Sequence, residues 1–254
     1  MQHPERGRYL LLALGMLALV FGLWSGLLRI GWRLPRGHAG LAMQHGPLMV
    51  CGFLGTVIAL ERAVALRRLW AYAAPLLVGV GGLLLVAGAD ARVGALLFTL
   101  GSLGLVGLYA VLLRLQADGF LQVMALGAVA WLVGNALWLA GTPVFAVVPW
   151  WMGFLVLTIA GERLELSRML GHDARVQHLF MGITAVFLTA LAATFFTPDA
   201  GTRGMGVALL AMAAWLVRYD VARYTVRQTG LTRFIAVCLL AGYGWMGVAG
   251  VLAL

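Results

Sequence analysis

The chain has 254 residues, 63% of them hydrophobic and only 11% charged, with a mean hydropathy of +0.97. A water-facing skin needs charge, so a soluble domain of this size is excluded and the class is a polytopic membrane protein. The net charge of +9 would point to nucleic acid in a soluble chain, but all 18 basic residues are arginines placed between apolar runs, where they set topology and meet lipid headgroups.

A spanning helix needs about 20 mostly apolar residues. Nine runs qualify, at about 9–30, 41–66, 73–89, 93–115, 120–140, 144–166, 177–196, 204–224 and 232–253. The first has a basic start and an apolar core like a signal sequence, but no small-residue cleavage site, so it is expected to stay as a helix. Gly79, Gly81 and Gly82 weaken the short third run. Lipid leaves no water for unpaired backbone groups, so the runs are helices. The expected fold is therefore an all-α, polytopic transmembrane helical bundle of about nine helices, in one integral membrane domain over residues 1–254.

With the N-terminus cytoplasmic, thirteen arginines fall on the inner side and five, Arg29, Arg33, Arg36, Arg92 and Arg203, on the outer side. Nine spans then put the C-terminus outside, in a bacterial-type inner membrane. Trp70, Tyr72, Tyr219 and Tyr224 are expected as aromatic anchors at inner ends, and Trp32, Trp138, Trp150 and Trp151 at outer ends. Cys51 and Cys238 lie in apolar runs and imply no disulfide framework.

Gly52-Phe53-Leu54 through Glu61-Arg62 lines up with Gly153-Phe154-Leu155 through Glu162-Arg163, 101 residues later. An offset of four helices makes this a parallel repeat, with units at about 9–117 and 118–228 and a final helix at 231–254. Chance likeness between two Leu/Ala/Gly-rich helices is the alternative.

Most of the chemical vocabulary lies between His38 and Arg68. His38 and His45 are seven apart, about 10.5 Å along a straight helix, too far to share one ion unless the segment bends. Pro47 has no N–H to donate, so the helix either kinks there or starts there. His45 and Met49 are one turn apart on one face, and imidazole with thioether suits haem iron or Cu(I). Interfacial polar residues and core methionine are the bland alternative. Gly52, Gly55, Thr56 and Ala59 form a small-residue face for close helix packing.

Charges inside a leaflet normally pair or line a cavity. Glu61 with Arg62, Glu162 with Arg163, and Asp220 with Arg218 or Arg223 are expected as buried ion pairs, and Glu165 with Arg168 as a three-apart pair. They read as a salt-bridge cluster at the inner ends or as a proton or substrate path. Asn135 is the strong polar group near mid-membrane, bonding to a neighbouring helix or to a ligand. His172 and His178 read as solvated loop histidines, and His3 as part of the N-terminal tail. No Gly-x-Ser-x-Gly elbow, Walker loop, HExxH motif or CxxC pair is present, so an ATP-driven pump is not expected of this chain alone.

The segment carrying His38, His45, Met49, Gly52 and Phe53, together with Gly134-Asn135-Ala136-Leu137, resembles the NnrS family of haem- and copper-containing membrane proteins linked to nitric oxide metabolism. The resemblance implies haem or copper as cofactor, with His38, His45 and Met49 as ligands. Two other functions remain open. One is a small-molecule or ion transporter in which Glu61, Arg62, Glu162, Arg163 and Asn135 line a path; the other is a non-catalytic membrane subunit or assembly factor. The expected partners are the lipid bilayer and either a second copy or another membrane protein, with no nucleic acid.

Overall fold

Each spanning segment satisfies its backbone internally, and no strand occurs among the described residues. A computed structural model gives the fold for residues 4–35, 37–38, 40–171 and 173–254, with the side chains of residues 4–6 and 169 left aside. His3, Arg36 and His172, named above, lie outside the described residues.

The helices are α1 (Pro4–Arg29), α2 (Thr56–Leu66), α3 (Ala73–Val86), α4 (Ala91–Leu115), α5 (Gly119–Leu139), α6 (Val144–Ser167), α7 (Ala174–Ala193), α8 (Pro198–Tyr219), the short α9 (Ala222–Thr225) and α10 (Gly230–Leu252). A π-helix, Pro47–Gly55, runs directly into α2 and completes the second span, and a 3-10 turn, Leu69–Tyr72, leads into α3. Nine helices among the described residues are long and apolar enough to cross a bilayer. The protein is an all-α, multi-pass integral membrane protein.

Local chemistry sets the ends. Pro47 opens the π-helical stretch, but the backbone ahead of it is already helical: a 3-10 turn, Leu41–Gln44, and then His45 and Gly46 run straight into it, so His45 lies in the helical turn before Pro47 and His38 ahead of that turn. Asp173 accepts the Arg175 N–H and caps α7, which starts at Ala174; His178 is therefore a helix residue, not a loop one. Pro198 opens α8 six residues ahead of the expected start. The helix stops at Tyr219, because Asp220 turns to extended backbone.

The chain forms two compact units, one of Met1–Gln116 with Ala128–Met152 and one of Ala117–Gly127 with Gly153–Leu254. Small residues let helices approach in both. In the first, a Cβ on Gly52 would stand 2.9 Å from the Ala18 Cβ, and one on Gly82 would stand 3.3 Å from the Gly52 Cα. The α1, π and α3 segments thus converge on Ala18, Gly52 and Gly82. Gly79 and Gly81 receive Leu14 and Phe98, so the glycines expected to weaken α3 are its packing faces. In the second unit, Gly206 and Gly250 bring α8 and α10 together, and a Cβ on Gly206 would stand 2.7 Å from the Gly250 carbonyl oxygen.

Candidate functional site

The end of α1 away from the N-terminus borders a cleft of about 680 Å³ lined by Leu28, Trp32, Arg33, Leu34, Pro35 and His38 among others. The Trp24 indole N–H donates to the Pro35 carbonyl at 3.0 Å and ties the cleft's loop back to α1. His38 Nε2 lies 3.1 Å from the Leu85 carbonyl in the last turn of α3. A carbonyl only accepts, so Nε2 is the donor of this bond. Gly88 turns the chain under this ring at φ +86°, a conformation that favours glycine, and a Cβ there would stand 3.3 Å from His38 Cγ.

His45 is not a lining residue of this cleft. Its Nδ1 lies 2.8 Å from the Gly22 carbonyl, which also accepts from Ser25 Oγ at 2.8 Å. The His45 ring covers Gly26 and the Met49 sulfur covers Gly22. His45 and Met49 thus pack side by side against one face of α1, as their one-turn spacing predicts, while His38 stands against the end of α3. Among the described residues no group of three or more His, Cys, Asp or Glu is placed to hold a metal ion.

Below lies a buried polar knot. Asn135 Nδ2 donates to the Phe98 carbonyl and to Ser102 Oγ, both at 3.2 Å. Its Oδ1 accepts from Trp151 Nε1 at 2.9 Å and from Cys51 Sγ at 3.3 Å. The Trp131 indole N–H donates to the same sulfur at 3.3 Å. Asn135 therefore uses two donors and both acceptor sites on neighbouring segments, as the first of its two expected roles required. Trp131 and Trp151 are buried at 0% and 1% exposure. Trp151, expected as an interfacial anchor, and the largely buried Trp150 pack inside the protein; an indole N–H beside Asn135 finds a protein acceptor and needs no water. Trp138 also turns inward, edge-on to Trp151 at 5.8 Å between centroids.

The ionic residues arrange differently from the expectation. Arg62 bonds Glu61 at 2.8 Å, with the arginine side chain 11% exposed and the glutamate 57%, so only the cation is buried. In the second unit Asp220 is fully buried and pairs with neither Arg218 nor Arg223. Its Oδ2 accepts from the Tyr243 hydroxyl at 2.7 Å and the Ala222 N–H at 3.4 Å, and its Oδ1 has no partner. The physical reason is the break after Tyr219: Asp220 turns inward, while Arg218 stays exposed with its guanidinium over the Tyr219 ring. Arg223 donates to the Arg218 carbonyl at 2.6 Å. Glu162 and Arg163 are half-buried on α6. Arg168 lies in the 3-10 turn after α6 and bonds Asp118 at 2.7 Å in place of Glu165.

Reading the sequence alone missed Cys51, Ser102, Trp131 and Tyr243 as polar partners. One signal was present: Trp131 and Asn135 are four apart and share a face of α5. Nothing in the sequence pairs Tyr243 with Asp220.

These features define the class: a multi-pass, all-α integral membrane protein with an open cleft at one end and a closed polar knot within its first unit. The chain belongs to the family described as Domain of unknown function (DUF8744), whose model matches residues 8–254. No curated protein and no solved structure matches the chain.

Proposed function

We propose that this protein binds haem, with copper as the second choice, at its outer-end histidines, and serves nitric oxide, metal or redox physiology as the NnrS resemblance implies. The observation that carries the reading is His38. It lines a cleft of about 680 Å³ and commits one ring nitrogen to a backbone carbonyl. That is the outer-shell arrangement common to metal-ligating histidines, because it fixes the tautomer and leaves the other nitrogen as donor. The volume lies within the range of small-molecule and cofactor sites. Leu28 and Trp32 suit the flat apolar faces of a porphyrin, and Arg33 suits its carboxylates. A haem held there would supply redox and small-gas chemistry. His45 and Met49, side by side against Gly22 and Gly26 of α1, are the pair for soft Cu(I).

The transport reading draws no comparable support, since the bonds of Asn135 are taken up by Phe98, Ser102, Trp151 and Cys51. The arginine distribution supports a cytoplasmic N-terminus in a bacterial-type inner membrane, with the cleft on the outer face.

The test is expression with added haem or copper, followed by purification of wild type, His38→Ala and His45→Ala. The expected result is stoichiometric haem in wild type, its loss in His38→Ala at unchanged helical content, and its retention in His45→Ala. Equal haem in wild type and His38→Ala would remove this reading.

A further inference from the structure

A second opening lies at the other end of α1. It is a groove of about 510 Å³ between the first turns of α1 and the Leu69–Leu76 stretch that begins α3, walled by Leu10, Leu11, Leu69 and Leu76. Leu69 is 89% exposed and Leu10 64%, so the wall is open to the surroundings. One cation stands in it. Arg8 Nε donates to the Tyr72 hydroxyl at 2.9 Å, and the guanidinium lies 6.0 Å from the centroid of that ring. The contact fixes the guanidinium and leaves its terminal nitrogens as donors. Among the described residues no carboxylate pairs with Arg8. Arg67 and Arg68, both exposed, immediately precede Leu69.

We propose that this groove is a binding site for one anionic phospholipid of the leaflet on the N-terminal side. Its phosphate meets Arg8, and an acyl chain lies along Leu10, Leu11, Leu69 and Leu76. Charge complementarity selects the headgroup: Arg8 in the groove, with exposed Arg67 and Arg68 next to Leu69 in the chain, favours a lipid with net negative charge over a zwitterionic one. The apolar wall selects a lipid over a free phosphate, which would leave it unused. Arginine suits the phosphate because its planar fork offers paired donors, and Tyr72 holds that fork in place. The site is independent of the histidine cleft and of any cofactor.

The experiment is native mass spectrometry of the purified full chain with phosphatidylglycerol, phosphatidylcholine or inorganic phosphate. Wild type is expected to retain phosphatidylglycerol over phosphatidylcholine and to show no binding of phosphate. Arg8→Gln is expected to cut that preference about fivefold, the effect of one arginine at a lipid surface. If Arg8→Gln folds poorly, Leu76→Trp, which fills the groove and keeps Arg8, is expected to lose the bound lipid. Equal retention of the two lipids by wild type, undiminished preference in Arg8→Gln, or retention in Leu76→Trp overturns the proposal. Phosphate that displaces the lipid at stoichiometric concentration overturns it as well.

Discussion

Asn135 in the first unit and Asp220 in the second are both fully buried polar side chains, and they are satisfied in opposite ways. Asn135 is a neutral amide with donors and acceptors, and four bonds to neighbouring segments use them. Asp220 is an acceptor-only group when ionised and meets one hydroxyl and one distant N–H, with Oδ1 left over. A neutral group can be matched bond for bond by apolar helices carrying a few indoles, a thiol and a hydroxyl. A carboxylate needs more donors than such helices supply. The first site therefore locks several segments together, while the second adds one short bond from Tyr243 to the glycine packing that already joins α8 and α10.

Substitutions sharpen this contrast. Asn135→Leu strands the Trp151 N–H and the Cys51 thiol at once, and is expected to cost about 2–4 kcal/mol in detergent unfolding. A loss below about 1 kcal/mol would mean that the knot is only loosely formed. Tyr243→Phe removes the short bond to a buried carboxylate and is expected to cost about 1.5–3 kcal/mol. On an Asp220→Asn background the same change is expected to fall to about 0.6 kcal/mol, the average for a neutral bond between membrane helices. Equal costs on both backgrounds would show that the bond gains nothing from a carboxylate acceptor. The smallest effect is at the surface: Arg168→Gln breaks the half-exposed Asp118 pair for about 0.2–1 kcal/mol, read as a shift that shrinks with added salt.

The existence and order of the nine spans were legible, because length and apolarity alone decide whether a segment can cross lipid. The irregularity at Pro47 was legible from its missing N–H, which left a kink and a start both open. The start of α7 was hidden by the polar run Asp173-Ala174-Arg175, which looks like loop until Asp173 is recognised as a cap. The π-helix Pro47–Gly55 was not legible: its glycines pack against Ala18, Gly82 and Trp131, residues distant in sequence, and no local spacing announces the wider turn. At the candidate site the His45–Met49 face was readable from a one-turn spacing. The position of His38 in a cleft depends on Leu85 and Gly88, some fifty residues away, and no spacing rule reaches that far. Asp220 was hidden for the same reason: it bonds a tyrosine twenty-three residues on and not the arginines two or three positions away, whereas the adjacent pair Glu61–Arg62 forms as read.

The first measurement to make is the visible absorption spectrum, with metal analysis, of the detergent-purified protein expressed with added haem and copper. A Soret band at one haem per chain, absent from His38→Ala and present in His45→Ala, is the expected result. A colourless, metal-free protein after both supplements would contradict the haem and copper reading and leave the cleft at His38 to some other ligand.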